Sequence, residues 1–306
     1  MILIAGTGAM ACLFAARLSA AGQAVGMIGT WPAGLAALRV HGVRQVGEQG
    51  REEAYPVQVL EPGAPCRPAA FALVLVKSWQ TDRAARQLQH CLAEDGLAIS
   101  LQNGLGNREI LAEVLGAERS SQGVTTAGAS LLEPGRVLPA GNGKVMLEDR
   151  PGLQPLAGCL RAAGFQVETG ADSASLIWGK LAINAAINPL TALLGVTNGE
   201  LLNRPAARQL MEALATETAT VAGRLGIHLP FADPLAAVEA VARDTAGNRS
   251  SMLQDLERGA PTEIDAICGQ IVTAGRAAGV PTPVNETLWK LVKAAAQPSV
   301  NDAGTL

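Results

Sequence analysis

Residues 1–11, Met1-Ile2-Leu3-Ile4-Ala5-Gly6-Thr7-Gly8-Ala9-Met10-Ala11, give the strongest indication of the fold. A short apolar run, typical of a strand, leads directly into a glycine turn, and a helical pattern follows as far as Ala21. Gly6 permits a tight bend, Gly8 lets the backbone approach a pyrophosphate, and the small Ala11 lets helix and strand pack closely. The free N–H groups of the helix N-terminus attract phosphates. The stretch predicts dinucleotide binding by these turn residues; the alternative is a plain strand-to-helix turn.

The rest of the N-terminal half alternates short apolar runs with helical patterns. Strands are predicted at residues 24–28, 71–76 and 96–101, with helices at 34–40 and 81–92 between them. Alternation of this kind indicates a parallel sheet covered by helices. We therefore expect a Rossmann-type dinucleotide-binding domain of the α/β class over residues 1–170.

The secondary-structure pattern of the sequence changes after Gly170. Long Ala- and Leu-rich helical segments follow at residues 175–194, 205–224 and 261–278, with hardly a strand pattern among them. We expect an all-α domain over residues 171–306 that binds substrate. Its extended apolar helices could also form the interface of a homodimer.

Composition narrows the functional classes. The 306 residues are 48% hydrophobic, 17% charged and 3% aromatic, which suits two domains with cores of small and aliphatic side chains. A formal net charge of −3 gives no broad positive field, so neither a nucleic acid nor an anionic membrane is the expected partner. We find no apolar run long enough to span a membrane and no basic leader, so we expect a cytoplasmic protein that binds a small ligand.

We expect the cysteines to form neither disulfides nor a zinc site, and we expect histidine to take no part in catalysis. The cysteines are odd in number, scattered and never in a CxxC pair, which predicts neither a disulfide framework nor a zinc site. They are Cys12, Cys66, Cys91, Cys159 and Cys268. With 3 histidines in the whole chain, a Ser-His-Asp triad has little to draw on.

Lys180 is the best candidate for the chemistry of a nicotinamide-dependent enzyme. Hydride delivery to a ketone leaves negative charge on oxygen, so a proton donor must lie beside that oxygen. Lys180, Asn184 and Asn188 recur every four residues in an otherwise apolar helix and share one face. Three aligned polar side chains predict the lining of a cleft. The alternative is a narrow solvent-facing stripe.

The end of the second strand leaves the choice of nicotinamide open. An acid there would hold the ribose 2′-hydroxyl of NAD, and an arginine would accept the 2′-phosphate of NADP, but the chain has Ile28-Gly29-Thr30-Trp31. Thr30 could donate to a phosphate oxygen, with Arg39 or Arg44 nearby in sequence. Alternatively, Trp31 covers the adenine or packs on the surface.

Five motifs, in order and with their spacing kept, resemble the ketopantoate reductase family over nearly the whole chain. They are the glycine turn, Val76-Lys77-Ser78-Trp79-Gln80, Gln102-Asn103-Gly104-Leu105-Gly106, the Lys180 helix, and Ser250-Ser251-Met252-Leu253-Gln254-Asp255 followed by Thr262-Glu263-Ile264-Asp265. The resemblance implies an oxidoreductase that reduces 2-dehydropantoate to (R)-pantoate on the route to pantothenate and coenzyme A. It implies NADPH as cofactor, with NADH not excluded.

The resemblance also implies roles for individual residues. Lys180 is the general acid, and Glu263 lies near the reacting oxygen and the cofactor and helps to orient Lys180 or the substrate. Asn103 lies beside nicotinamide and substrate, and Lys77 near the cofactor. The substrate hydroxyl and carboxylate are implied to bind Asn184, Asn188 and Ser251. Each role has a plainer alternative: Asn103 stabilises a turn, Ser251 caps a helix, and Glu263 is an acid at a helix start after Pro261.

Two departures from the family pattern affect cofactor and substrate. No arginine follows the second strand, and Leu138-Pro139-Ala140-Gly141 lacks the histidine often found before the corresponding glycine. A paralogue that reduces another small 2-keto acid is therefore an open alternative, because one fold can serve several substrates. A non-catalytic sensor of the nicotinamide pool is a further alternative, which the presence of Lys180 and Glu263 disfavours.

Overall fold

The computed structural model describes residues 1–61, 66–141, 143–170 and 173–296, and the chain divides into two compact units. The first unit comprises Met1–Gln102 and Gly106–Ser173. The second comprises Ala174–Leu306 together with Asn103–Leu105, three residues from a loop whose flanking residues on both sides belong to the first unit.

The first unit contains alternating strands and helices. In its first half the elements are β1 (Ile2–Ala5), α1 (Ala9–Ala20), β2 (Val25–Ile28), α2 (Pro32–His41), β3 (Val43–Val46), β4 (Glu52–Tyr55), β5 (Gln58–Val59), β6 (Ala69–Val74), α3 (Thr81–Leu88) and β7 (Leu92–Ser100). The second half contains α4 (Asn107–Leu115), β8 (Ser120–Thr125), β9 (Gly128–Glu133), β10 (Arg136–Ala140), β11 (Lys144–Glu148), α5 (Gln154–Ala162) and β12 (Gln166–Gly170).

The larger sheet of the first unit has a Rossmann strand order. Within the described residues the order is β12-β11-β8-β7-β6-β1-β2-β5, and the strands from β8 to β5 are parallel to their neighbours. From β1 the chain first adds strands on one side of the sheet, β2 and β5, and then on the other, β6, β7 and β8. Open parallel sheets bind ligands at such a switch point, beyond the carboxyl ends of the strands. The α/β fold predicted from the glycine turn is confirmed.

A second, smaller sheet was not predicted from the sequence. Its order is β4-β3-β10-β9, and its strands pack against α1, which also contacts strands of the larger sheet. Phe14 of α1 belongs to one buried apolar cluster with residues of both sheets, including Val43 and Val137 of the smaller one. This explains why α1 is apolar around most of its circumference. The strands of the smaller sheet carry many exposed polar residues, so they lack the apolar runs on which the prediction relied.

The second unit is helical in its described part, as predicted. Its elements are α6 (Ser173–Leu194, which begins at the unit boundary), α7 (Pro205–Arg224), α8 (Pro234–Asp244), α9 (Ser251–Glu257), a π-helical turn (Asp265–Gly269), α10 (Gln270–Ala278) and α11 (Pro283–Ala295). The predicted helices at 175–194 and 205–224 are confirmed, whereas the one at 261–278 is wrong at its start, because residues 261–264 are not helical. No helix in the described residues is long and apolar enough to cross a membrane.

The expectation that the cysteines form no disulfide is wrong. Cys66 and Cys91, 25 residues apart in sequence, are bonded to each other. Each precedes a strand by no more than a few residues, Cys66 before β6 and Cys91 before β7, and these strands are parallel neighbours. The start of one therefore lies beside the start of the other, a proximity that their separation in sequence does not reveal.

Candidate active site

Gly6 is required by the fold of the turn after β1. Its φ of 132° is one that side-chain-bearing residues rarely adopt. A Cβ at this position would lie 3.1 Å from the Leu75 carbonyl oxygen and 3.2 Å from the Cβ of Ala11. Ala11 is thus in close contact with the turn, and both Gly6 and Ala11 must be small for structural reasons.

Gly8 has no such structural reason. It is exposed, its φ of −84° suits any residue, and a Cβ would meet nothing within 4 Å. Gly8 is also the N-cap of α1, and no side chain in the described structure caps that helix. An open approach to the backbone at an uncapped helix N-terminus suits a pyrophosphate. Thr7 is buried, and Ala9 and Met10, at the start of α1, are half-buried.

The end of β2 presents Thr30 and Trp31, both exposed. The indole of Trp31 lies against Gly34, where a Cβ would come within 2.4 Å of the ring. Both arginines nearby in sequence are already paired: Arg39 with Glu61, and Arg44 with carboxylates of the smaller sheet. Each of the two arginines thus already has a carboxylate partner. Neither is an unpaired cation that could bind a 2′-phosphate together with Thr30.

The loop after β6, which carries Lys77, is fixed by a buried hydrogen-bond network that the sequence did not predict. The Gln102 side chain, just past β7, donates to the Val76 carbonyl at 2.9 Å and to Thr81 Oγ1 at 2.8 Å. Its oxygen accepts from Ser100 Oγ at 2.9 Å. Gln102, Thr81 and Ser100 are all buried. Because Val76 directly precedes Lys77, this network fixes the backbone from which the lysine side chain extends. In the sequence Gln102 stands only as the first residue of the Gln102–Gly106 motif, and nothing local indicates that its side chain is buried.

The polar stripe on α6 is present as predicted. The helix is continuous over its 22 residues, so Lys180, Asn184 and Asn188 lie on one face. Lys180 and Asn184 are half-buried, and Asn188 is buried. A solvent-facing stripe would be exposed along its length, so this observation disfavours the alternative interpretation.

Glu263 joins Lys180 and Asn103 in the second unit. The carboxylate is buried, and its Oε2 accepts a hydrogen bond from Asn103 Nδ2 at 2.9 Å. Burial lowers the pKa of Lys180 from 10.5 to about 8, while the negative charge of Glu263 acts in the opposite direction and raises it. The three side chains form a lysine–carboxylate–amide cluster whose ammonium can lose its proton near neutral pH.

Glu263 does not sit at the start of an ordinary helix. Its backbone carbonyl accepts from the N–H groups of Ala266 and Ile267, both at 3.1 Å, at the entry to the π-helical turn. Its side chain is directed to Asn103 instead of capping this turn. The simple helix-start interpretation of Glu263 is therefore incomplete.

Ser251 is exposed at the first position of α9, and the cap of that helix is its neighbour Ser250. Ser250 Oγ accepts from the Leu253 N–H at 3.1 Å and from Thr191 Oγ1 on α6 at 2.7 Å. Neither role was predicted from the sequence, in which Ser250 appears only as the first residue of a motif and Thr191 only within a helical segment. Since the capping role belongs to Ser250, the hydroxyl of Ser251 is not required to cap the helix.

Comparison with known proteins gives one consistent family. Residues 2–152 match the family described as ketopantoate reductase PanE/ApbA, and residues 172–296 match its C-terminal domain. The chain is 40% identical to the 2-dehydropantoate 2-reductase of Archaeoglobus fulgidus over 230 residues, 74% of this chain and 76% of that one. Identity to the Halobacterium salinarum enzyme of the same name is 32% over 300 residues, 96% and 98% of the two chains.

Two solved structures resemble the chain over nearly its full length. A PanE/ApbA family ketopantoate reductase from Ralstonia eutropha JMP134 has a TM-score of 0.85 at 31% identity, covering 97% of this chain and 98% of that one. D-Mandelate dehydrogenase, in its ternary structure with NADH and anilino(oxo)acetate, has a TM-score of 0.88 at 27% identity, covering 96% and 98%.

Replacing Glu263 tests the electrostatic account of Lys180. Because the Glu263 charge raises the pKa of Lys180, Glu263→Gln is expected to lower it below about 8. The pKa can be followed by NMR of ¹³C-dimethylated lysines, with the Lys180 signal assigned by its loss in Lys180→Arg. Asp265→Asn is the matched control, since the Asp265 carboxylate pairs with Trp289 and Lys293. An unchanged or raised pKa in Glu263→Gln would contradict the account.

Proposed function

The chain belongs to the ketopantoate reductase family of oxidoreductases, and on that premise we propose that it reduces 2-dehydropantoate to (R)-pantoate with NADPH, on the route to pantothenate and coenzyme A. The observation that carries the proposal is the cluster of Lys180, Glu263 and Asn103, which contains an ammonium with a lowered pKa. In this proposal the first unit binds the cofactor and the second binds the keto acid.

Lys180 is the general acid of the proposed reaction. The nicotinamide, when bound, supplies a hydride to the ketone carbon, and the ketone oxygen gains negative charge as the hydride arrives. The Lys180 ammonium donates a proton from Nζ to that oxygen and becomes a neutral amine. A pKa of about 8 suits this role, because the group is protonated near neutral pH yet releases its proton readily.

Glu263 and Asn103 support the acid in this proposal. The Glu263 carboxylate stabilises the ammonium form of Lys180 against the effect of burial, so the acid is ready before each turnover. The Asn103 amide donates to this carboxylate and restricts its orientation. The pair thus holds a charge in a fixed place, as electrostatic stabilisation requires.

The keto acid is proposed to bind along the polar face of α6. Asn184 and Asn188 follow Lys180 at intervals of one turn, so their amides can hydrogen-bond the carboxylate and hydroxyl of a substrate whose ketone lies at Lys180. Ser251, exposed at the start of α9, supplies a hydroxyl for the same purpose.

The residues of the first unit fit a dinucleotide. The open backbone at Gly8 and the uncapped start of α1 suit the pyrophosphate, and Lys77 supplies a cation from the loop after β6. Thr30 is proposed to donate to the 2′-phosphate of NADPH, and the exposed indole of Trp31 offers an apolar face for the adenine.

A second candidate function is the NADH-dependent reduction of another 2-keto acid. Two observations favour it: the structural similarity to D-mandelate dehydrogenase, which was solved with NADH, and the absence of an arginine directly after β2, where Thr30 and Trp31 stand. The same general acid would serve, because both reactions protonate a ketone oxygen. The two candidate functions differ in the side chain of the keto acid that the protein binds. They also differ in whether the cofactor carries a 2′-phosphate.

Turnover measurements separate the two candidates. The proposal predicts oxidation of NADPH in preference to NADH with 2-dehydropantoate, and little with benzoylformate. The reverse preferences would establish the second candidate.

Lys180→Ala is expected to lower kcat roughly 100- to 10,000-fold, the usual contribution of a positioned acid. Lys290→Ala is the control, because Lys290 is an exposed lysine paired with Glu286. Wild-type kcat in Lys180→Ala would refute the mechanism.

Gly8→Val tests the proposed pyrophosphate site. Its side chain enters space that the protein leaves open, so we expect the unfolding temperature to stay near that of wild type. The Kd of NADPH should rise roughly 10- to 100-fold, the equivalent of an overpacking cost of about 1–3 kcal/mol. Gly158→Val on α5, where a Cβ also meets nothing within 4 Å, is the control. Equal NADPH affinity in the two variants would contradict the assignment.

A further inference from the structure

The loop segment Asn103–Leu105 is in backbone contact with the π-helical turn that follows Glu263. The Leu105 N–H donates to the Ala266 carbonyl oxygen at 2.9 Å. A Cβ on Gly104 would lie 2.2 Å from that same oxygen and 2.6 Å from the carbonyl carbon. The two backbones are therefore closer at Gly104 than any side chain allows.

The contact is with backbone atoms, so it cannot be relieved by a side-chain rotation. The Ala266 N–H donates to the Glu263 carbonyl at 3.1 Å, and the Ile267 N–H, which belongs to the same peptide group as the Ala266 carbonyl, donates to the Glu263 carbonyl at 3.1 Å as well. These bonds hold the Ala266 peptide in place relative to Glu263. An added Cβ at position 104 must therefore move the loop away, and Asn103 with it.

We propose that Gly104 is a positioning residue: its lack of a side chain lets the loop rest on the Ala266 carbonyl, which holds the Asn103 amide on the Glu263 carboxylate beside Lys180. This inference rests on the proposed function, in which Glu263 supports the general acid. Gly104 touches neither reacting group in this account. It acts through Asn103 alone.

The alternative role for Gly104 is conformational only. Its φ is +83°, a left-handed value that favours glycine whatever its surroundings. Gly116, at the end of α4, separates the two explanations. It has a φ of +94°, but a Cβ there would meet nothing within 4 Å. Substitution at Gly116 thus introduces the backbone strain without a clash.

The test uses Ala and Asn substitutions at both glycines, alone and combined with Asn103→Ala. Asparagine tolerates positive φ better than alanine, so Gly104→Asn keeps the clash with less strain if Gly104→Ala does not fold. We expect kcat to fall roughly 10- to 100-fold in the Gly104 variants, the equivalent of one hydrogen bond to a charged group, and by a similar factor in Asn103→Ala. The Gly116 variants should retain the wild-type kcat.

The combined variants give the decisive comparison. If Gly104 acts through Asn103, adding Gly104→Asn to Asn103→Ala causes no further loss of kcat. Losses that multiply in the double variant, or a wild-type kcat in Gly104→Asn, would overturn the proposal.

Absence of turnover in wild type would instead refute the proposed function, and the positioning role would then be judged from the Lys180 titration. In that measurement Gly104→Asn should shift the Lys180 pKa by as much as Asn103→Ala does. Unequal shifts in the two variants, or no shift in either, would overturn the positioning role.

Discussion

The ammonium of Lys180 is subject to two opposing effects on which the arrangement of the second unit depends. Burial favours its neutral form, and the charge of Glu263 favours its protonated form. The balance leaves the pKa within reach of neutral pH. That balance requires a helix that carries the lysine, which is α6, and a non-helical segment before the π-helical turn that carries Glu263. The loop segment Asn103–Leu105 supplies the amide that donates to the carboxylate.

In the first unit, two glycines of the turn after β1 differ in what they do. One is required by the fold, and the other leaves open space beside the backbone. Gly6 is needed because its conformation and its close contacts exclude a side chain, whereas Gly8 is surrounded by open space. A sequence motif does not distinguish these two reasons, because both positions are simply glycine. The structure separates them, because only the second position leaves open space beside the backbone.

The sequence predicted the features that depend on local periodicity. The strand, glycine turn and helix at the N-terminus, and the stripe of Lys180, Asn184 and Asn188, follow from spacing alone. Features that depend on contacts between distant segments were missed. The smaller sheet is built from strands with polar exposed faces, and the Cys66–Cys91 bond depends on which strands are neighbours. The Gln102 network likewise requires knowledge of which loops meet.

The pH dependence of kcat for ketone reduction shows whether Lys180 donates its proton from a pKa set by burial and Glu263. The ammonium form is the active one, so kcat should be constant at low pH and fall about tenfold per pH unit above the pKa of the bound complex. In the free protein that pKa is about 8. In Glu263→Gln the fall should begin at lower pH. A kcat that rises with pH, or one that stays flat from about pH 6 to about pH 10, would contradict the account.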